Sequence, residues 1–353
     1  MIITRIIALC KRQLLSAINI KPNSWNTARR EERPLINLKI DYGLYSKGET
    51  IEMVDPRSNT IIGNYFQPRS KFEVNNVIIE PTQGLVFAKN SKVELLRECT
   101  RWPVHWVNSS FPITPHKWAV YRKTIKKGIL LTANPFYHWL VEDLPGTISA
   151  METFPQEIPL IVIKKPPNYV EDFLKTTTRS VIRTSNFANI HKLYIVDKGS
   201  SSGWPQPTDL KILNNYEPFK SAKKRTQRDE YIYISRLKSS RSPSNENEIQ
   251  LLFEKNGFTV YYLENYDLLQ QISIISSARV IAGIHGAGLT NLIWMEKNCT
   301  VLDIVNENYW TEAYFKASFI SGVKYESYVY EGTYSSKLNL QELNKKIQKI
   351  ILE

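Results

Sequence analysis

The stretch Ser277-Ala-Arg-Val-Ile-Ala-Gly-Ile-His-Gly-Ala-Gly-Leu-Thr-Asn-Leu-Ile-Trp-Met-Glu-Lys-Asn-Cys-Thr-Val-Leu-Asp-Ile-Val305 reads as strand, glycine turn, helix, strand. Arg279 to Ala282 is short, apolar and β-branched, as a parallel strand buried on both faces should be. Gly283, Gly286 and Gly288 let the backbone turn sharply and approach a ligand closely. Leu289 to Met295 then continues as an apolar helix whose first turn offers unpaired N–H donors and partial positive charge, suited to phosphate. His285 stands in the turn, where its ring could add a donor. The same residues also fit a plain strand-to-helix turn around a hydrogen-bonded core histidine. The Gly-x-x-Gly-x-Gly spacing is not the Gly-x-Gly-x-x-Gly dinucleotide fingerprint, so a nicotinamide- or flavin-dependent oxidoreductase is disfavoured.

Working outward, the texture is strand and helix in alternation. The pattern predicts strands at Gly128 to Leu131, Pro159 to Ile163 and Lys192 to Val196, with helices at Phe136 to Met151 and Tyr169 to Thr176. After a Gly-Ser-Ser-Ser-Gly-Trp-Pro-Gln-Pro linker ending at Pro207, a second series follows. It has strands at Glu230 to Ser235 and Phe258 to Leu263, and helices at Asn245 to Lys255 and Asp267 to Ser276. Two βαβ series on either side of a linker imply an α/β protein with two Rossmann-like domains. Residues 36–105 read as β-rich and irregular, with short runs at Leu38 to Ile40, Val77 to Ile79 and Leu85 to Ala88. Asn339 to Leu352 has an amphipathic helical period, with Leu340, Leu343, Ile347 and Ile350 on one face. The expected divisions are a basic segment 1–35, an acceptor-side domain 36–204 and a nucleotide-binding domain 205–353.

The chain has 353 residues, 42% hydrophobic, which is enough for two cores. Three cysteines, Cys10, Cys99 and Cys299, are far apart and odd in number, arguing against a disulfide framework or a zinc site. No run reaches the ~18 apolar residues of a membrane span. The net charge of +12 is local: residues 1–35 hold seven Lys/Arg against two acids, and residues 211–241 hold nine against three. Neither stretch interleaves its cations with stacking aromatics, which excludes nucleic acid as the expected partner. Residues 1–20 place Arg5, Lys11 and Arg12 among apolar clusters. That fits a basic helix on an anionic membrane surface, and equally an ordinary packed helix or a frayed terminus.

Two further constellations carry chemistry. In Tyr233-Ile-Ser-Arg-Leu-Lys-Ser-Ser-Arg-Ser-Pro-Ser-Asn-Glu246, Arg236 lies just past a strand and Arg241 in the loop before a helix opening at Ser244 or Asn245. Two guanidiniums there can grip a diphosphate through paired, charge-assisted hydrogen bonds. In Asn134-Pro-Phe-Tyr-His-Trp-Leu-Val-Glu-Asp-Leu-Pro-Gly146, Asn134 is expected as N-cap with Pro135 at the first helical position. His138 and Glu142 then share a face four residues apart, as a general base with its orienting carboxylate would, or as an ordinary surface pair. Asp143 points elsewhere, and Pro145 should kink the helix.

Together these stretches resemble glycosyltransferase family 61, over about residues 120–330. The resemblance lies in Phe-Tyr-His-Trp-Leu-Val-Glu-x-Leu-Pro at 136–145, Tyr-Ile-Ser-Arg … Arg … Asn-Glu at 233–246, and Ala278-Arg-Val-Ile … His-Gly-Ala-Gly-Leu-Thr-Asn291 with an acid at Asp303. Gly146 stands where the family often has arginine, and Asp303 where glutamate is usual. The resemblance implies a GT-B architecture, inverting transfer from a nucleotide sugar and a donor site in the C-terminal domain. No Asp-x-Asp occurs, so arginines, a histidine and a helix start would stabilise the leaving diphosphate without metal or other cofactor. The expected site is then His138 or Glu142 as base. The donor would lie on Ser235, Arg236, Arg241, Asn245, His285, Gly286, Ala287, Gly288, Thr290, Asn291 and Asp303. A glycan or glycolipid would be the acceptor, in a cytoplasmic enzyme at the inner face of a membrane that builds surface polysaccharide. A non-catalytic nucleotide- or glycan-binding protein of the same fold is the alternative.

Overall fold

In the computed structural model, the described residues are 71–88, 123–185, 187–196, 205–223, 230–237, 239, 241–309 and 311–352, with the backbone of 39–41, 49–54, 61–66 and 94–95. The expected helix within residues 1–20 lies outside them. The chain is α/β and divides into two compact units. One holds the described residues up to 51, from 64 to 170 and from 177 to 196; the other holds those from 52 to 63, 171–176 and those from 205 onward.

The first unit is built on one sheet. Strands β1 (Lys39–Asp41), β4 (Lys71–Glu80), β5 (Leu85–Ala88) and β6 (Glu94–Leu95) supply its antiparallel part. Strands β7 (Lys123–Leu130), β8 (Leu160–Ile163), β9 (Val181–Thr184) and β10 (Ala188–Val196) supply the parallel part. The order is β6-β5-β4-β10-β7-β8-β9, with β1 also on β4. A separate pair, β2 (Glu49–Val54) with β3 (Ile61–Phe66), stands apart. The β-rich stretch is therefore no separate module: β4 pairs antiparallel with β10 from Lys71 opposite Val196 to Ile79 opposite Ala188. Val74, Val77, Ile79, Ile125, Ile161, Ile190 and Leu193 close its core. Chain order reverses between β7 and β10, which makes that junction a topological switch point.

The second unit has five parallel strands, β11 (Tyr231–Ile234), β12 (Thr259–Tyr261), β13 (Val280–Ile284), β14 (Thr300–Asn306) and β15 (Lys324–Tyr330). Their order is β12-β11-β13-β14-β15, with the switch point between β11 and β13. Central β13 is buried along its whole length, which is why its sequence is uniformly apolar. The helix Glu246–Lys255 ends in a Schellman motif. Gly257 sits at φ +82°, Phe258 N–H bonds Phe253 carbonyl at 3.0 Å, and the two rings meet edge-on at 4.9 Å. The helix Leu268–Ile275 starts in a capping box, Asp267 with Gln270. Leu343, Ile347 and Ile350 of the last helix, Leu340–Leu352, pack into the core, with Leu340 at its margin.

The helix expected after β13 is present as a 3₁₀ helix, Ala287–Trp294. Two local expectations need correction. Asn134 is no N-cap: Pro135 holds that place, and the Asn134 amide turns inward to Asp143 Oδ2 at 2.5 Å and Gln83 carbonyl at 3.3 Å. Pro145 causes no simple kink. Phe136–His138 is one α-turn, Trp139–Asp143 is π-helical, and a new α-helix runs Leu144–Thr153 with Pro145 in its first turn, where no N–H is needed.

Candidate active site

At the carboxyl end of β7, the π segment brings His138 Nδ1 within 3.0 Å of Glu142 Oε1. The His138 side chain is 28% exposed and that of Glu142 only 4%, so the imidazole faces solvent and the carboxylate supports it. A π segment is a frequent mark of a functional site, because the extra residue re-aims the side chains around it. The surroundings are rigid. Asp143 Oδ2 accepts from Thr132 Oγ1 at 2.6 Å as well as from Asn134, and Tyr169 Oη donates to Asn134 carbonyl at 2.6 Å. Burial beside Asp143 pushes the Tyr169 phenol up to about 12, which keeps it a donor at neutral pH.

In the second unit, Arg236 follows β11 and reaches the loop after β13, so it spans the switch point. Its Nη1 donates to His285 carbonyl at 2.6 Å and its Nη2 to Ser239 Oγ at 2.7 Å. A Cβ at Gly286 would fall inside the guanidinium, and this close approach is what requires glycine there. Burial, and then the charge of Arg241, press Arg236 below the ordinary guanidinium value. Arg241 lies over the Tyr309 ring at 4.6 Å. The amides of Gly286, Ala287 and Gly288 precede the first intrahelical bond, Leu289 N–H to Gly286 carbonyl at 2.9 Å.

The histidine of the turn takes the core role. His285 is 6% exposed, with Nδ1 2.8 Å from Asp303 Oδ2 and Nε2 3.2 Å from Thr311 Oγ1. Tyr314 packs edge-on at 4.7 Å, and Tyr325 Oη donates to the same Asp303 oxygen at 2.8 Å. Asp303 is fully buried and holds the His285 ring through Nδ1.

Other expected ligand contacts are likewise internal. Thr290 and Asn291 are fully buried, and Asn291 Nδ2 bonds Gly288 carbonyl at 3.1 Å and Gln271 Oε1 at 3.2 Å. Both side-chain ends of Asn245 are taken by the backbone of Leu338, at 3.0 and 3.1 Å. Ser235 Oγ bonds Glu246 Oε1, Leu237 N–H and Gln250 Nε2 at 3.2, 3.1 and 2.9 Å.

Glu246, to which no role was assigned, proves central. Its Oε1 collects Tyr233 Oη at 2.9 Å and Arg236 N–H at 3.1 Å besides Ser235, so it sets the start of the arginine loop. Burial raises its carboxyl pKa. An acid at the first position of a helix was the available signal. Tyr309, Thr311, Tyr314 and Tyr325 had no comparable one, since they reach the site from separate elements.

Residues 136–302 match the family model described as Glycosyltransferase 61. The chain is also similar to the alpha-1,3-arabinosyltransferase XAT2 of Oryza sativa subsp. japonica, 38% identical over 64 residues. That match covers 17% of this chain and 11% of the rice protein.

Proposed function

We propose, from the match of residues 136–302 to the glycosyltransferase 61 model, an inverting, metal-independent transfer of a hexose or pentose from a nucleotide sugar to a glycan or glycolipid hydroxyl. The observation that carries this reading is the arginine pair at the switch point. Arg236 and Arg241 and the amides at 286–288 gather positive charge where open α/β sheets bind their ligands. A diphosphate held there has its developing negative charge stabilised as the bond to the sugar breaks.

The two α/β units are the two halves of a GT-B architecture on this reading. His138 Nε2 takes the acceptor proton while Glu142 holds Nδ1. The acceptor oxygen attacks the anomeric carbon, and the bonding electrons leave with the diphosphate, inverting that centre. The greater exposure of His138 favours it over Glu142 as the base. Surface polysaccharide synthesis at the inner face of a membrane, with residues 1–35 on anionic lipid, completes the proposal. No helix among the described residues is long and apolar enough to cross a membrane.

Two measurements test the donor site. Arg236→Ala should weaken nucleoside diphosphate binding by about 1.5–3 kcal/mol, the range for hydrogen bonds to charged groups. Titration calorimetry reads this directly, and an unchanged affinity would remove the diphosphate from Arg236. Transfer or donor hydrolysis should keep most of its rate in excess chelator. Complete loss, restored by magnesium or manganese, would overturn metal independence.

A further inference from the structure

A cavity of about 400 Å³ opens in the second unit, away from the arginine pair. Its lining includes Ser276, Lys297 and Ser321, which precede β13, β14 and β15, so it lies at the amino ends of those strands. The switch-point site lies at their carboxyl ends. Leu210, Ile293 and Ile320 give the cavity an apolar wall, and the volume is in the range of small-molecule sites.

Lys223 is the partly buried cation of this cavity. Its Nζ donates to Asn214 Oδ1 and stands 5.3 Å from the centre of the Trp294 ring. Among the described residues no carboxylate lies within ion-pair distance of it. Glu296 also lines the cavity and favours the Lys223 charge from beyond ion-pair distance, and Lys211 and Lys297 add two further cations to the lining. Two more polar groups of the lining, Trp294 Nε1 and Ser321 Oγ, are buried without a partner. A buried cation and two donors without acceptors cost stability unless an acceptor-rich group meets them. We propose that this cavity binds a small organic anion, with its carboxylate or phosphate on Lys223 and an apolar ring-sized body against Leu210, Ile293 and Ile320. Burial pushes the Lys223 ammonium down to about 8.

The probe is 2-naphthoate, measured by equilibrium dialysis against the full chain. Saturable one-to-one uptake is expected. Lys223→Met, or the neutral 2-naphthamide in place of the acid, should weaken it by about tenfold or more, and Lys223→Arg by less than about threefold. Arg236→Ala should leave it unchanged. Wild-type affinity should fall as pH rises from about 8 to 10 and Lys223 loses its proton, while Lys223→Arg stays flat. That comparison decides the matter even if Lys223→Met fails to fold. No saturable uptake, equal uptake by Lys223→Met, loss in Arg236→Ala, or the same pH profile in Lys223→Arg would each overturn the proposal.

Discussion

His138→Ala lowers turnover by roughly a hundred- to ten-thousand-fold, the usual worth of a positioned general base. It leaves nucleotide affinity nearly unchanged, because on the proposed mechanism the imidazole touches the acceptor and not the diphosphate. Arg236→Ala should show the converse emphasis, so both quantities measured on both variants separate binding from chemistry. Glu142→Gln keeps a hydrogen-bonding partner beside Nδ1 but removes the carboxylate charge that steadies an imidazolium. It should therefore cost less than His138→Ala, and added imidazole should rescue His138→Ala but not Glu142→Gln. A larger loss in Glu142→Gln, or near-normal turnover in His138→Ala, would transfer the role of base to Glu142.

The parts of the fold legible in the sequence are those governed by local rules. The apolar run at 280–284 could only be a doubly buried strand, and Asp267 with Gln270 marks a helix start. His138 and Glu142 meet because they stand four positions apart, and the π turn preserves their contact. What escaped was non-local or set by competition between side chain and backbone. Nothing in Lys71–Glu80 announces that it will pair with Ala188–Val196. In the glycine turn, Asn291 bonds back to the Gly288 carbonyl three residues earlier, an alternative to the α-helical ladder that helps hold Ala287–Trp294 as 3₁₀. Polar residues beside a site split into those that face it and those that orient the first group, and only burial tells Asp303 from Arg236. Sequence gave His285 two roles, and its partners Asp303 and Thr311 decided for the buried one.

Arg179 shows how far such non-local dependence extends, and its replacement should have the largest effect on stability. The residue is 5% exposed, and its guanidinium faces the end of helix Leu144–Thr153 and the turn into β8. Nη1 donates to the carbonyls of Pro155 and Ile158 at 2.7 and 2.8 Å; Nη2 donates to Phe154 carbonyl at 2.7 Å and to Met151 carbonyl. The Met151 and Phe154 carbonyls sit at the negative end of the helix dipole, while Pro155 carbonyl also accepts from Ile158 N–H at 3.1 Å. Arg179→Ala removes the guanidinium donor from the buried Ile158 carbonyl and from the carbonyls of the helix end, so it should cost about 3–4 kcal/mol, at the upper end for loss of a buried hydrogen-bonded network. Arg179→Lys should recover little, because an ammonium cannot reproduce the planar fork. With two compact units in the chain, urea unfolding is best followed through the transition that reports the first of them. That helix follows directly on the π segment that holds Glu142, which in turn follows His138, so the damage should also appear as lower turnover well below the midpoint. A destabilisation under about 1 kcal/mol would mean that water satisfies those carbonyls and that the arginine only decorates the helix end.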